Sequence, residues 1–149
     1  MLLRIIVFRR DYNIGQIVKK LDATGNLKME TAVVVFGDHG YQLGEHATWS
    51  KMTNFELGVH IPLIIRAPWI AGSVGQETAV LAEMVDMFPT LASLAGLPDP
   101  RKIPGSEGIN GTSLFPALMD PANSTHMKEA AFSQFSKNNA PGDGGAGAH

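Results

Sequence analysis

Between Asp11 and Ala23 the apolar residues Ile14, Ile17, Val18 and Leu21 recur at three- and four-residue intervals, with Lys19, Lys20 and Asp22 on the other side. That period predicts an amphipathic helix, and Gly25 supplies its stop. The next apolar stretch, TAVVVF (Thr31–Phe36), is β-branched and does not alternate. It predicts a strand covered on both faces. Helix, glycine, strand is half of an α/β unit, which predicts an α/β fold with a parallel-type sheet flanked by helices. HIPLIIRAP (His60–Pro68) predicts a second strand, and ETAVLAEMVD a short third one around Val80–Ala82. Asp86 is a good N-cap for a helix carrying Phe88, Leu91, Ala92 and Ala95, with Pro89 in its first turn and Gly96 and Pro98 at its end. SLFPALMD (Ser113–Asp120) predicts at most a short helix, and AAFSQF (Ala130–Phe135) a last strand.

The chemistry collects past the end of the first strand. Gly37 to Phe55 is rich in glycine and polar residues and reads as a long loop, a length usually functional or disordered in compact domains. Asp38 and His39 open it, and Glu45, His46 and Lys51 follow. In open α/β sheets ligands gather at the carboxyl ends of strands. A carboxylate suits a hard cation, and an imidazole suits a metal or an anionic oxygen. Gly37 and Gly40 let the backbone turn sharply and approach a ligand. The bland reading has Asp38 capping the next segment and His39 packing against a neighbour, and these two residues alone do not choose. Lys51 is able to return to the same edge and balance an anionic substrate, or to be a solvated loop lysine. Glu45 reads as a brace for the loop, His46 as a backbone-bonded loop histidine, and His60 as a framework residue at the start of a strand. Trp49 and Phe55 read as loop anchors.

Composition narrows the class. Of 149 residues 44% are hydrophobic and 17% charged, which is a globular balance, and the formal net charge of −2 argues against nucleic acid as the main partner. No apolar run approaches the length of a membrane span, so membrane insertion is not expected. The opening MLLRIIVFRR reads as a strand or helix edge and not as a signal peptide, because Arg4 interrupts it and no small-residue cleavage site follows. There is no cysteine, which removes disulfides, cysteine-ligated zinc and thiol nucleophiles. Asn110-Gly-Thr112 and Asn123-Ser-Thr125 are glycosylation sequons and mild support for the secretory route.

VVVFGDHGYQLGEHATWSKMTNFE, HIPLIIRAP, VDMFPTLASLAGLP and EGINGTSLFPAL, in that order, resemble successive signatures of the sulfatase family, and of its iduronate branch most of all. The resemblance runs over roughly residues 11–135. It implies an alkaline-phosphatase-like α/β fold, present in part, and hydrolysis of sulfate esters. Substrates would be a sulfated glycosaminoglycan or a small sulfate ester, and the location lysosomal or secreted. Carried over by position, Asp38 and His39 match a pair of ligands for a divalent cation, usually Ca2+, with Mn2+ or Zn2+ as other possibilities. Lys51 matches the lysine that contacts the sulfate group, so Lys51 and His39 are the expected catalytic residues. A phosphate or phosphonate hydrolase of the same superfamily, and a non-catalytic domain holding sulfated glycans, are the rival expectations.

The family's nucleophile, a formylglycine made from the Cys or Ser of a C/S-x-P-x-R motif, has no counterpart: no serine here is followed by x-Pro-x-Arg. A hydrolase that works through a covalent intermediate needs its nucleophile. The chain is therefore expected to be an interior-to-carboxyl piece of a sulfatase, inactive alone. Its expected organisation is a partial sulfatase domain over residues 1–136, then a Gly/Ala-rich disordered tail over 137–149.

Overall fold

The computed structural model describes residues 2–124 and 127–134, with side chains in the first helix described from Ile6 onward. The predicted tail, and Phe135 of the predicted last strand, lie outside the described residues. The chain divides into two compact units, one of Met1–Val34 with Ile65–Ala130, the other of Val35–Ile64 with Ala131–His149.

In the first unit the amphipathic pattern forms helix α1, Leu2–Asp22, which begins earlier than the period alone indicated because the apolar opening joins it. Gly25, at φ +64, follows its end, and Arg66 holds Asp22 at 2.6 Å. A single turn, α2 (Leu27–Glu30), comes next. The apolar side of α1 is not covered among the described residues: Phe8 is 76% and Ile17 67% exposed.

The buried apolar centre of this unit is small. It comprises Ala67, Ile70, Met87, Leu114 and Ala117, and helices α4 (Met87–Leu94) and α5 (Phe115–Met119) contribute to it. Asp86 does not cap α4 as expected. Its backbone is already helical there and its side chain makes no cap to that helix. It lies at the end of the preceding 3-10 turn, Met84–Asp86, in a reciprocal capping box with Glu83. The carboxylate is fully buried and fully used. One oxygen accepts from Thr112 N at 2.7 Å, the other from Glu83 N at 2.7 Å and from Lys128 Nζ at 2.6 Å. Lys128 also meets Glu83 at 2.6 Å. Burial works against the Lys128 charge, but the Asp86 and Glu83 carboxylates outweigh it and hold the ammonium above its ordinary value. Gly111 completes this clasp: at φ +99, a Cβ there would stand 2.2 Å from Val85 O.

Strands β1 (Val33–Phe36) and β4 (Leu63–Arg66) form a two-stranded sheet. Two expectations fail here. Neither strand is covered on both faces, since Phe36 is 46% and Ile64 61% exposed. Two strands offer too few neighbours to bury an apolar run. Residues 79–83 and 130–134 also form no strand, having no ladder to join.

The second unit holds the stretch read as a loop. It contains an antiparallel hairpin, β2 (Gln42–Leu43) with β3 (Trp49–Ser50), and a helical turn α3 (Glu56–Val59).

Candidate functional site

Asp38 and His39 follow β1 directly, and the backbone around them is pinned. Gly37 N donates to Pro62 O at 3.2 Å and Gly40 N to Gly58 O at 3.0 Å. Gly40 has no room for a side chain, because a Cβ would stand 2.1 Å from Leu57 O. The close approach expected of this glycine is therefore spent on the protein's own backbone and not on a ligand. His39 Nδ1 lies 2.7 Å from Gly40 O. A carbonyl only accepts, so Nδ1 carries the hydrogen and Nε2 presents its lone pair. Lys51 Nζ donates to that lone pair at 2.8 Å, and Asp38 Oδ2 lies 3.4 Å from the same nitrogen. The imidazole is 33% exposed and the carboxylate 85%. Acid, imidazole and ammonium thus meet at one atom, His39 Nε2.

The hairpin returns Lys51 to this point. Gln42 pairs with Ser50 and Leu43 with Trp49, and Gly44 N closes the turn on Thr48 O at 3.0 Å. Glu45 braces it as expected: Leu43 N donates to its carboxylate at 2.6 Å, and that bond holds the Glu45 carboxyl below its ordinary value. His46 (φ 56), Ala47 (φ 54) and Ser50 (φ 77) are left-handed without being glycine, a strain of roughly 1 kcal/mol or more each. At Ser50 the turn interrupts the extended path immediately before Lys51.

The remaining sequence candidates are not gathered at His39. His46 stacks on Phe55, with ring centroids 4.4 Å apart, instead of bonding to backbone. Phe55 is to that extent an anchor. Trp49 is 69% exposed and its indole ring lies beside Gly44. His60 pairs with Glu56 at 2.9 Å on an exposed surface.

Sequence reasoning passed over Gln42. Its residue is fully buried, and neither its amide nitrogen nor its amide oxygen has a hydrogen-bond partner. A buried polar group left without one costs about 1–3 kcal/mol. The one available signal was a polar residue between Tyr41 and Leu43 in an otherwise outward-alternating hairpin.

The donor set can be tested against a divalent cation. Ligand atoms about 2.0–2.6 Å from one ion sit roughly 3–3.5 Å apart, and Asp38 Oδ2 and His39 Nε2 are 3.4 Å apart. The Nδ1–H of a metal-binding histidine is commonly held by a carbonyl, as Gly40 O holds this one. Among the described residues, however, no group of three or more His, Asp or Glu side chains could hold a metal. By spacing alone the pair could make one side of a cation's coordination shell, and in this structure the Nε2 lone pair is taken by Lys51.

Comparison with known proteins bears on the family of the chain. The family model "Sulfatase" matches residues 7–97, more than half of the chain. Human iduronate 2-sulfatase is 32% identical over 117 residues, covering 63% of this chain and 21% of that protein. Arylsulfatase K of Xenopus laevis is 37% identical over 110 residues, covering 74% of this chain and 19% of its own length. The structure of BT4656 in complex with its substrate D-glucosamine-2-N,6-O-disulfate superposes with a TM-score of 0.73 at 30% identity, over 90% of this chain and 26% of that one. The chain spans about a fifth of the curated relatives it matches. Its mixed helix and sheet are a part of the alkaline-phosphatase-like sulfatase fold. The chain belongs to the sulfatase family.

Proposed function

We propose that this chain provides the sulfate-holding cation and one side of the metal site of a sulfuric ester hydrolase acting on sulfated sugars. The observation that carries the reading is the meeting of Lys51 Nζ and Asp38 Oδ2 at His39 Nε2, 2.8 and 3.4 Å away, in a chain matched by the sulfatase family model.

Each residue has a derivable part. Lys51 offers an ammonium to a sulfate oxygen, a charge-assisted bond stronger than a neutral one. His39, its Nδ1–H fixed by Gly40 O, aims that ammonium by accepting from it at Nε2. Asp38 and His39 would hold a divalent cation, Ca2+ by family and Mn2+ or Zn2+ by donor type, through carboxylate oxygen and Nε2. When bound, such an ion neutralises charge on the sulfate oxygens.

The substrate class follows the relatives. Iduronate 2-sulfatase, and a neighbour bound to a disulfated glucosamine, support a sulfated glycosaminoglycan unit. Iduronate 2-O-sulfate is the finer choice, and arylsulfatase K among the relatives keeps aryl sulfates in the comparison. Asn110 and Asn123 are both exposed, which supports passage through the secretory route. With no cysteine and no Ser-x-Pro-x-Arg in its 149 residues, the chain alone should bind sulfated sugars without turning them over. Calorimetric titration with iduronate 2-sulfate and glucosamine 6-sulfate, beside a 4-nitrophenyl sulfate assay, tests both halves. Binding without turnover is the expected result; turnover by the pure chain, or no binding to either sugar, refutes it.

A further inference from the structure

The amide of Gln42 carries chemistry that the site described so far does not use. It is fully buried, with both polar atoms unpaired. Directly across the hairpin stands Ser50, its register partner, and its hydroxyl has no hydrogen-bond partner among the described residues. Gln42 lies three residues after His39, and Ser50 immediately precedes Lys51. Two unspent polar residues therefore sit on backbone adjoining each member of the Lys51–His39 pair.

An amide offers one donor and one acceptor side, and a hydroxyl needs both. A chain selected only for stability would place an apolar side chain at a fully buried position, because an isosteric apolar group there is neutral or stabilising. Functional sites are where such local rules are broken. We propose that Gln42, with Ser50, is a specificity-determining subsite that takes a hydroxyl of the sugar whose sulfate Lys51 holds. This inference rests on the reading of Lys51 as the sulfate-binding cation. Because the amide is covered in the free chain, a sugar reaches it only when the 42–50 hairpin shifts. Among the described residues of its unit, the left-handed His46, Ala47 and Ser50 make that hairpin the segment with strain to release.

The experiment compares two probes on the full chain, inorganic sulfate and D-glucosamine-2-N,6-O-disulfate, by calorimetry, with thermal melting of each variant. Gln42→Met should raise the melting temperature by a few degrees, leave sulfate affinity unchanged and weaken the sugar about tenfold, the loss expected for one hydrogen bond. Ser50→Ala, which deletes only a hydroxyl, should give the same selective loss and serves if Gln42→Met fails to fold. Lys51→Ala should weaken both probes. A lower melting temperature in Gln42→Met would mean an internal water satisfies the amide, and equal sugar affinity in both hairpin variants would mean no subsite; either result overturns the proposal. If Lys51→Ala changes neither probe, the reading of Lys51 falls instead.

Discussion

Lys51 Nζ donates to His39 Nε2 at 2.8 Å across twelve residues of chain. The contact exists because two separate devices aim the side chains. Gly40 O fixes the imidazole, and the hairpin closed by Gly44 and Thr48 brings the lysine back.

Removing the ammonium should weaken anion recognition without unfolding the chain. Lys51→Ala should lower affinity for inorganic sulfate at least tenfold, the effect of a charge-assisted bond of about 1.5–3 kcal/mol. Lys51 is exposed, so the urea midpoint should move by no more than about 0.5 kcal/mol equivalent.

Asp38 is the reverse of a structural acid. Its carboxylate is 85% exposed, so Asp38→Ala should leave stability within about 0.5 kcal/mol. Its affinity for Mn2+ should nonetheless fall about 10- to 100-fold. Equilibrium dialysis measures the second quantity and chemical denaturation the first.

Gly40 carries the opposite signature. A Cβ would stand 2.1 Å from Leu57 O, and backbone cannot step aside as a side chain can. Gly40→Ala should destabilise the second unit by about 2–4 kcal/mol and loosen His39. Amide exchange at residues 37–42 and 56–60 reads this out.

The clasp in the first unit is electrostatic and mostly buried. Lys128 is 16% exposed, and it faces Asp86, fully buried, and Glu83. Lys128→Met would leave two carboxylates without their cation and should cost about 2–4 kcal/mol, the residual exposure keeping it below the full penalty for a broken buried pair. Adding Asp86→Asn should restore part of that loss in a double-mutant cycle.

A pH dependence follows from Asp99. The Arg101 side chain, then the Arg101 backbone N–H, hold its carboxyl down to about 2. A depressed folded value means that the unfolded chain, titrating near 3.9, binds the proton first. The stabilisation is therefore fully present above about pH 4 and is lost as pH falls toward about 2. Arg101→Gln should move the Asp99 carboxyl carbon titration up toward the ordinary carboxylate range by NMR.

How far the sequence carried these conclusions depended on what each element leaned on. The α1 helix and the two main strands were legible because their apolar periods are local. Asp38, His39 and Lys51 stood out because charged groups clustered past an apolar run, and they do converge in space. The hairpin was hidden. Its strands are two residues each, and its turn uses left-handed His46 and Ala47 where a reader looks for glycine or asparagine. Gln42 was hidden for a related reason, since a polar residue between Tyr41 and Leu43 reads as inward-facing only once the register of β2 on β3 is known. Asp86 was read one turn too late because a capping box with Glu83 and a proline-bearing helix start offer the same residue two places. The missing third and last strands were misread for want of ladder partners, which a strand's own composition does not reveal.

The central claim is that Asp38 and His39 together face one cation beside Lys51. Titrating the chain with Mn2+ and recording paramagnetic broadening of backbone amides tests it most directly. Resonances of residues 38, 39 and 51 should broaden first and together. Broadening centred on the Glu83–Asp86 clasp, or spread evenly over the acidic surface, would contradict it.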